Sequence, residues 1–320
     1  MKMIDKIKLF LQKILPSYRV SLRIEEQLYR MEYNMKLMNK RQEMMFWYCM
    51  RKENEILTET KKRFFEELPK AEGALRKRQL SLLNILVQFD EFCKKNHIGY
   101  WIDCGNLLGA IRNGGFIPWD DDIDIAMSRR EFNHLANLIS NNNVFELKYL
   151  YDYKNIYVMP KIFSKKEDAS YFIDIIVYEE VYCSNLQGVQ EQWEIRRILQ
   201  NKLRKELFHC LGLNASERDY REIVNINDEK KIIAICNKYS EKFCKLYQEG
   251  ELTYFTICME FPQDLTNYMR CFEKQYIYPL KQENFEGYLL PQPNQAEKYL
   301  EVLYGNIYDL PNDFGYQKHI

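Results

Sequence analysis

The sequence predicts an α/β (α+β) protein, a small mixed sheet with flanking helices, preceded by an N-terminal helical arm. Three observations predict it. Ile123, Ile125 and Met127 alternate with Asp122, Asp124 and Ala126, the period of two that marks a half-buried strand. Leu75, Leu82, Leu83, Leu86, Phe89 and Phe92 fall on one stripe, the period of a helix. Ahead of both, apolar residues recur at 4,3 spacing from Ile24 to Cys49.

The arm is read as residues 1–72 and the second domain as 73–320. Within the arm, Met3, Ile4, Ile7, Phe10, Leu11, Ile14 and Leu15 are interleaved with Lys2, Lys6, Lys8 and Lys13. That is a basic amphipathic helix ended by Pro16. It suits peripheral contact with an anionic membrane surface, or packing on its own domain or a partner. The series Ile24, Leu28, Met31, Met35, Met38, Gln42, Met45, Cys49 then supports either an intramolecular helical hairpin or a homodimer through residues 24–49. Lys-Glu-rich sequence runs to Pro69, and Gly73 closes the arm.

A helix from about Leu75 to Asn96 supplies core. Tyr100, Trp101 and Ile102 form a short strand ending in Asp103 and Cys104, and Gly105 to Arg112 a short helix whose free N–H groups suit a phosphate. After a Gly-rich, Pro-containing loop, Asp120, Asp121, Asp122 and Asp124 fall within five positions. A helix over 129–138 and strands over 144–151 and 157–163 follow. Residues 171–178, Tyr-Phe-Ile-Asp-Ile-Ile-Val-Tyr, are strongly strand-forming with one embedded acid, Asp174. Such a carboxylate is costly unless it faces a cation, a cleft or water. Lys161, in the strand before it, reaches either a phosphate or solvent. Residues 186–275 read as mostly helical, without an interpretable motif.

Carboxylates this crowded repel by roughly 3 kcal/mol per pair at ~6 Å and an effective dielectric of ~20. A hard divalent ion with oxygen ligands, Mg²⁺ or Mn²⁺, is the natural compensation. A metal beside a phosphate-holding helix is an arrangement for phosphoryl chemistry.

Composition narrows the class further. At 46% hydrophobic the 320-residue chain has ample core, and 46 basic against 46 acidic residues leave no basic field for nucleic acid. Mean hydropathy of -0.50, no apolar run of transmembrane length and no secretory leader predict a soluble protein. Nine cysteines without Cys-x-x-Cys or zinc spacing read as reduced thiols of a cytoplasmic protein.

Gly105 to Gly109, Arg112-Asn113 and Ile117 to Asp124 resemble the signature of the LicD family of phosphotransferases, in the nucleotidyltransferase superfamily with the fukutin and fukutin-related proteins. Glu297 to Leu300, Leu303-Tyr304-Gly305 and Pro311 resemble its C-terminal pattern, so the likeness covers about residues 75–312. Asn106 stands where the family usually has Thr or Ser, and Asn113 where it often has His. Both still form hydrogen bonds, so these departures bear on substrate contacts more than on the chemistry.

The resemblance implies a nucleotidyltransferase-like fold and transfer of a phospho-alcohol, phosphocholine or a polyol phosphate, from a CDP-linked donor to a hydroxyl of a cell-surface glycan. The acceptor would be of lipopolysaccharide, capsule or teichoic-acid type. It also implies a third metal-site or base carboxylate on a later strand, which assigns Asp174. The implied metal and catalytic set is then Asp122, Asp124 and Asp174, with Gly105, Asn106, Gly109, Arg112, Asp120 and Lys161 on the substrate. An enzyme of this kind fits the inner membrane face and a lipid-linked acceptor.

Three rival readings fit the sequence less well. Asp120, Asp122, Asp124 and Glu131 match positions of a calcium-binding helix–loop–helix, but Ile125 occupies the position that needs Gly. A glycosyltransferase holding a nucleotide-sugar through Asp-x-Asp usually has an alternating βαβ half before that motif, and here mostly helix precedes it. A scaffold that kept the fold and lost activity sits poorly with the intact acid set.

Overall fold

The computed structural model describes residues 16–140, 142–152, 157–168, 170–183, 193–210, 221–223, 226–246, 252–258 and 270–310. The amphipathic segment 1–15 lies outside them. Two compact units divide the chain, Met1–Phe64 and Phe65–Ile320.

In the first unit, α1 (Pro16–Met50) is one 35-residue helix and α2 (Leu57–Glu66) follows it. The last turns of α1 pack on α2 through Phe46, Trp47 and Phe64, whose ring centroids lie 4.9–5.3 Å apart. Lys61 lies over the Trp47 ring, and Arg63 closes the connection by bonding Glu55 and the Met50 carbonyl. A short hairpin forms, but not through the heptad series from which a hairpin was expected. It uses Phe46 and Trp47, and leaves Ile24, Leu28, Met31, Met35, Met38 and Met45 exposed.

The second unit opens with α3 (Gly73–Lys95), which buries Leu75, Gln79, Leu82, Leu83, Ile85, Leu86 and Phe89. Then come β1 (Trp101–Ile102), α4 (Cys104–Asn113), β2 (Asp124–Ser128), α5 (Arg129–Ile139), β3 (Phe145–Asp152), β4 (Tyr157–Ser164) and β5 (Phe172–Tyr182). Two long helices, α6 (Trp193–Cys210) and α7 (Ile226–Cys244), are separated by β6 (Arg221–Ile223). The described chain ends with β7 (Leu252–Ile257), β8 (Cys271–Glu273), the single turn α8 (Lys274–Ile277), the hairpin β9 (Lys281–Phe285) and β10 (Tyr288–Gln292), and α9 (Ala296–Tyr304).

The sheet runs β1-β2-β5-β4-β3-β6, and β7 joins β5 and carries β8. The long β5 is its axis. Its first residues pair with β4, its middle runs parallel to β2, and its end takes β7. Because β2 lies between β1 and β5 with α4 and α5 against it, every residue from Ile125 to Ser128 is buried. The alternation predicts a half-buried strand, but past Asp124 β2, antiparallel to β1 and parallel to β5, is covered on both faces, as strands inside a sheet layered with helices are.

The described residues of the stretch 186–275 are mostly helical, as expected, with short strands the sequence reading did not include. It contains α6 and α7, but β6, β7 and β8 extend the sheet. Leu252-Thr-Tyr-Phe-Thr-Ile has the β-branched and aromatic content of a strand, short enough to be hidden among Lys, Glu and Tyr.

Behind β1 and β5 an aromatic cluster fixes the floor of the sheet: Trp101 on Tyr178 at 5.5 Å, Tyr178 on Phe272 at 5.5 Å, and Phe272 stacked on Tyr299 at 4.5 Å. The two-residue turn of the β9–β10 hairpin is Glu286-Gly287, both at positive φ, the geometry that matches strand twist. Its Glu286 carboxylate is buried and accepts from Arg76, Lys70 and the Phe116 N–H, tying the hairpin to α3 and to the loop before the acids. The burial would raise that carboxyl, yet Arg76 and Lys70 hold it below its ordinary value.

Candidate active site

Register places the first pair of acids. In the parallel ladder of β2 with β5, Asp124 lies beside Asp174, and in the antiparallel ladder of β4 with β5, Lys161 lies beside Asp174. Residues in register project from one face, so three strands carry Asp124, Asp174 and Lys161 in a row. Lys161 Nζ forms an ion pair with Asp174 Oδ1 and lies 3.9 Å from the Phe172 ring centre. Both partners are buried.

This pair carries a measurable expectation. Lys161→Met removes one partner of a buried charge pair, which costs about 3–5 kcal/mol. Denaturant unfolding should show that loss, and a change below about 1 kcal/mol would mean the pair is not a buried charge pair.

The preceding loop supplies the other acids. Carboxylate oxygens of Asp120, Asp121 and Asp122 lie within 4.8 Å of one another. Their backbone is tied down group by group. Gln79 Nε2 donates to the Asp120 carbonyl (2.8 Å) and Arg78 Nε to the Asp121 carbonyl (2.6 Å). Asn106 Nδ2 donates to the Asp122 carbonyl (3.1 Å), while Asn106 Oδ1 accepts from the Asp124 N–H (2.5 Å). The Ile123 carbonyl accepts from the Asp174 N–H at 2.8 Å, and the Asp124 carbonyl from the Asp103 N–H at 3.0 Å. Like charges held at this density are preorganised for a counter-charge rather than for stability.

Helix α4 abuts the acids with its first turn. Asp103 is the N-cap, accepting from the Cys104 N–H at 2.8 Å. A Cβ on Gly105 would stand 2.7 Å from Asp120 Oδ2, so glycine is what lets that carboxylate lie against the helix. At the other end, a Cβ on Gly109 would meet the Gly115 carbonyl at 2.3 Å, so Gly109 admits the turn that follows α4. Arg112 is buried with its guanidinium 3.3 Å from the Phe65 ring centre, and its Nε and Nη2 have no hydrogen-bond partner among the described residues. Burial lowers its pKa to about 10.

Thus the structure brings Asp120, Asp122, Asp124, Asp174, Lys161, Gly105 and Asn106 to one place. Gly109 and Arg112 sit at the far end of α4, against the 114–117 turn and Phe65. Asn113 Nδ2 likewise donates to the Phe65 carbonyl at 2.7 Å.

The field of the site follows from its packing. Burial first, then the neighbouring Asp122, Asp174, Asp120 and Asp103, push the Asp124 carboxyl far above the usual range. Burial raises Asp103 to about 6, opposed by the Cys104 N–H and the Tyr299 and Tyr178 hydroxyls. Those hydroxyls donate to Asp103 Oδ2 at 2.9 and 3.1 Å, so the N-cap is fixed to the aromatic floor. The oxygen-only donor set of clustered carboxylates fits a hard divalent cation.

Several residues that shape the site were outside the predicted set. Arg78 and Gln79 belong to a helix read as core. Gln79 carried a signal, a polar residue within the stripe of Leu75, Leu82, Leu83 and Leu86, where it is fully buried. Tyr304 ends α9 beside the acids, sharing a hydrogen bond with Cys104 and feeling the charge of Asp124. In the sequence its one signal is membership of the C-terminal Leu303-Tyr304-Gly305 pattern.

Residues 97–215 match the LicD/FKTN/FKRP nucleotidyltransferase domain. The lipopolysaccharide cholinephosphotransferase LicD of Haemophilus influenzae is 27% identical over 258 residues, 77% of this chain and 95% of that protein. An uncharacterized protein of Rickettsia prowazekii is 38% identical over 81 residues, 25% of this chain and 30% of the relative. Mannosyltransferase regulator 4 of Saccharomyces cerevisiae is 31% identical over 68 residues, 21% of this chain and 6% of the relative.

Proposed function

Residues 97–215 are a LicD-family nucleotidyltransferase domain and the chain is a LicD-like transferase, and from that premise we propose that it moves a phospho-alcohol from a CDP-linked donor to a hydroxyl of a cell-surface glycan. The observation that carries the reading is the row Asp124, Asp174 and Lys161 across three strands, beside the cluster of Asp120, Asp121 and Asp122.

In this proposal Asp122, Asp124 and Asp174 hold Mg²⁺ or Mn²⁺, with Asp120 as an additional ligand or a support for the others. The ion would neutralise the donor diphosphate and the charge that develops as its bond breaks. The chain's own residues do the rest. Asn106 fixes the Asp122–Asp124 backbone, and Gly105 lets the Asp120 carboxylate lie against the end of α4 beside the donor phosphates. Lys161 orients Asp174 through their ion pair. Asp174 takes the proton of the acceptor hydroxyl as its oxygen bonds to phosphorus and the phosphoric anhydride bond breaks, releasing CMP. Gly109 and Arg112 contribute by setting α4, from its far end.

The alternative, a glycosyltransferase using a nucleotide-sugar, gains no support from the element order. Ahead of the acids the described residues place four helices and the two-residue β1. No helix among the described residues is long and apolar enough to cross a membrane. We place the enzyme in the cytoplasm, with residues 1–15 reaching the inner membrane face and a lipid-linked acceptor.

The deciding experiment is CMP release from CDP-choline, CDP-ribitol and CDP-glycerol with Mg²⁺ or Mn²⁺, with and without chelator. The assay is repeated on anionic vesicles with and without residues 1–15. Metal-dependent release from one donor is expected. Release from UDP-sugars alone would overturn the reading in favour of sugar transfer.

A further inference from the structure

The exposed stripe of α1 has a register, and the register names its occupant. Ile24, Met31, Met38 and Met45 take heptad positions d, and Leu28, Met35, Gln42 and Cys49 positions a. All eight are exposed. The six apolar ones other than Cys49 are 50–69% accessible along a seam of ~38 Å.

The partner within the chain does not cover them. Helix α2 packs on Glu43, Phe46 and Trp47, at positions b, e and f, on a neighbouring face and only over the last two turns. Ion pair Glu26–Arg30 lies at positions f and c, opposite the seam, and Glu32–Lys36 at e and b, along its edge. These positions are mixed in sign, whereas a helix seated on anionic lipid presents a basic polar face.

We propose that α1 pairs in parallel with α1 of a second copy of this chain, through residues 24–49, as a two-stranded coiled coil. Six half-exposed side chains offer on the order of 600 Å² per helix, so pairing buries on the order of 1,200 Å², the lower end of what specific association needs. The polar seam position selects the direction. In parallel register Gln42 faces Gln42, and the two amides bond each other as a buried polar layer does in such dimers. The antiparallel alignment that matches every seam residue sets Gln42 against Met31 and leaves each amide unpaired. Parallel register also brings Cys49, an exposed free thiol, opposite its copy at a position where a disulfide can close.

The test uses the full chain and reads mass, so it is independent of the donor and the reaction. Light scattering at micromolar concentration should give twice the 38.9 kDa of one chain. Met31→Lys, Met35→Lys and Met38→Lys together should weaken association at least ~100-fold without changing helix content, because those side chains are exposed in one chain. Mild oxidation should trap a covalent dimer that Cys49→Ser removes. A monomer at tens of micromolar, or a dimer untouched by the three lysines, would overturn the proposal. A dimer that Cys49 never cross-links would overturn its parallel register.

Discussion

Asp124→Asn should abolish turnover and, without added divalent ion, make the protein more stable. The two effects share one cause. Asp124 is packed among Asp122, Asp174, Asp120 and Asp103, which together with burial drive its carboxyl far above the usual range. Repulsion between carboxylates at ~6 Å is roughly 3 kcal/mol per pair at an effective dielectric of ~20, so an isosteric amide relieves on the order of 1–3 kcal/mol once its own burial is counted. The ladder is untouched, since the bonds from Asp124 N–H to Asn106 and from Asp103 N–H to the Asp124 carbonyl are backbone bonds. In the proposed reaction the same charge helps hold the divalent ion, and losing about 4 kcal/mol of transition-state stabilisation lowers the rate roughly 10³-fold. Thermal unfolding with and without Mg²⁺ checks this alongside CMP release. The variant should melt higher than the wild type in chelator, and Mg²⁺ should raise the wild type more than the variant. Wild-type turnover in the variant would remove Asp124 from the metal site.

What the sequence shows and what it hides follow from the range of the interactions. The alternation of Ile123, Ile125 and Met127 is local, and it locates β2 and Asp124. The run around Asp174 is equally local. That these two acids are neighbours depends on β2 and β5 running parallel in a particular register across nearly fifty residues of intervening chain, and no period in the sequence encodes it. Lys161 shows the same limit: its strand was legible, its ion pair with Asp174 was not. Arg78 and Gln79 illustrate a second kind of concealment. A helix with a good apolar stripe invites a reading as core, yet these two side chains carry the Asp120–Asp121 backbone. Glu286 does comparable work from a hairpin more than 160 residues away in sequence, bonding Arg76 and the Phe116 N–H.

Asn106 is where the likeness to the LicD signature and the geometry meet, and it supports a sharper expectation than the one it first suggested. As a departure from the family's Thr or Ser, it pointed to altered donor contacts. In the structure its side chain is fully buried and spans the carboxylate segment, donating to the Asp122 carbonyl and accepting from the Asp124 N–H. A hydroxyl can do both, since it has one donor and two acceptor lone pairs. Asn106→Thr should therefore keep the acids in place, with a stability change within about 1 kcal/mol and turnover within about tenfold. Asn106→Val has the shape of threonine without the hydroxyl, and leaves one buried carbonyl and one buried N–H unpaired at about 1–3 kcal/mol each. It should lose roughly 2–5 kcal/mol of stability and, because the acids move together, at least 10²-fold in turnover. Equal KM for the donor in wild type and Asn106→Thr would identify a positioning residue. If Thr and Val behaved alike in unfolding and in rate, the side chain's two hydrogen bonds would not be what holds the site, and its role would return to the donor itself.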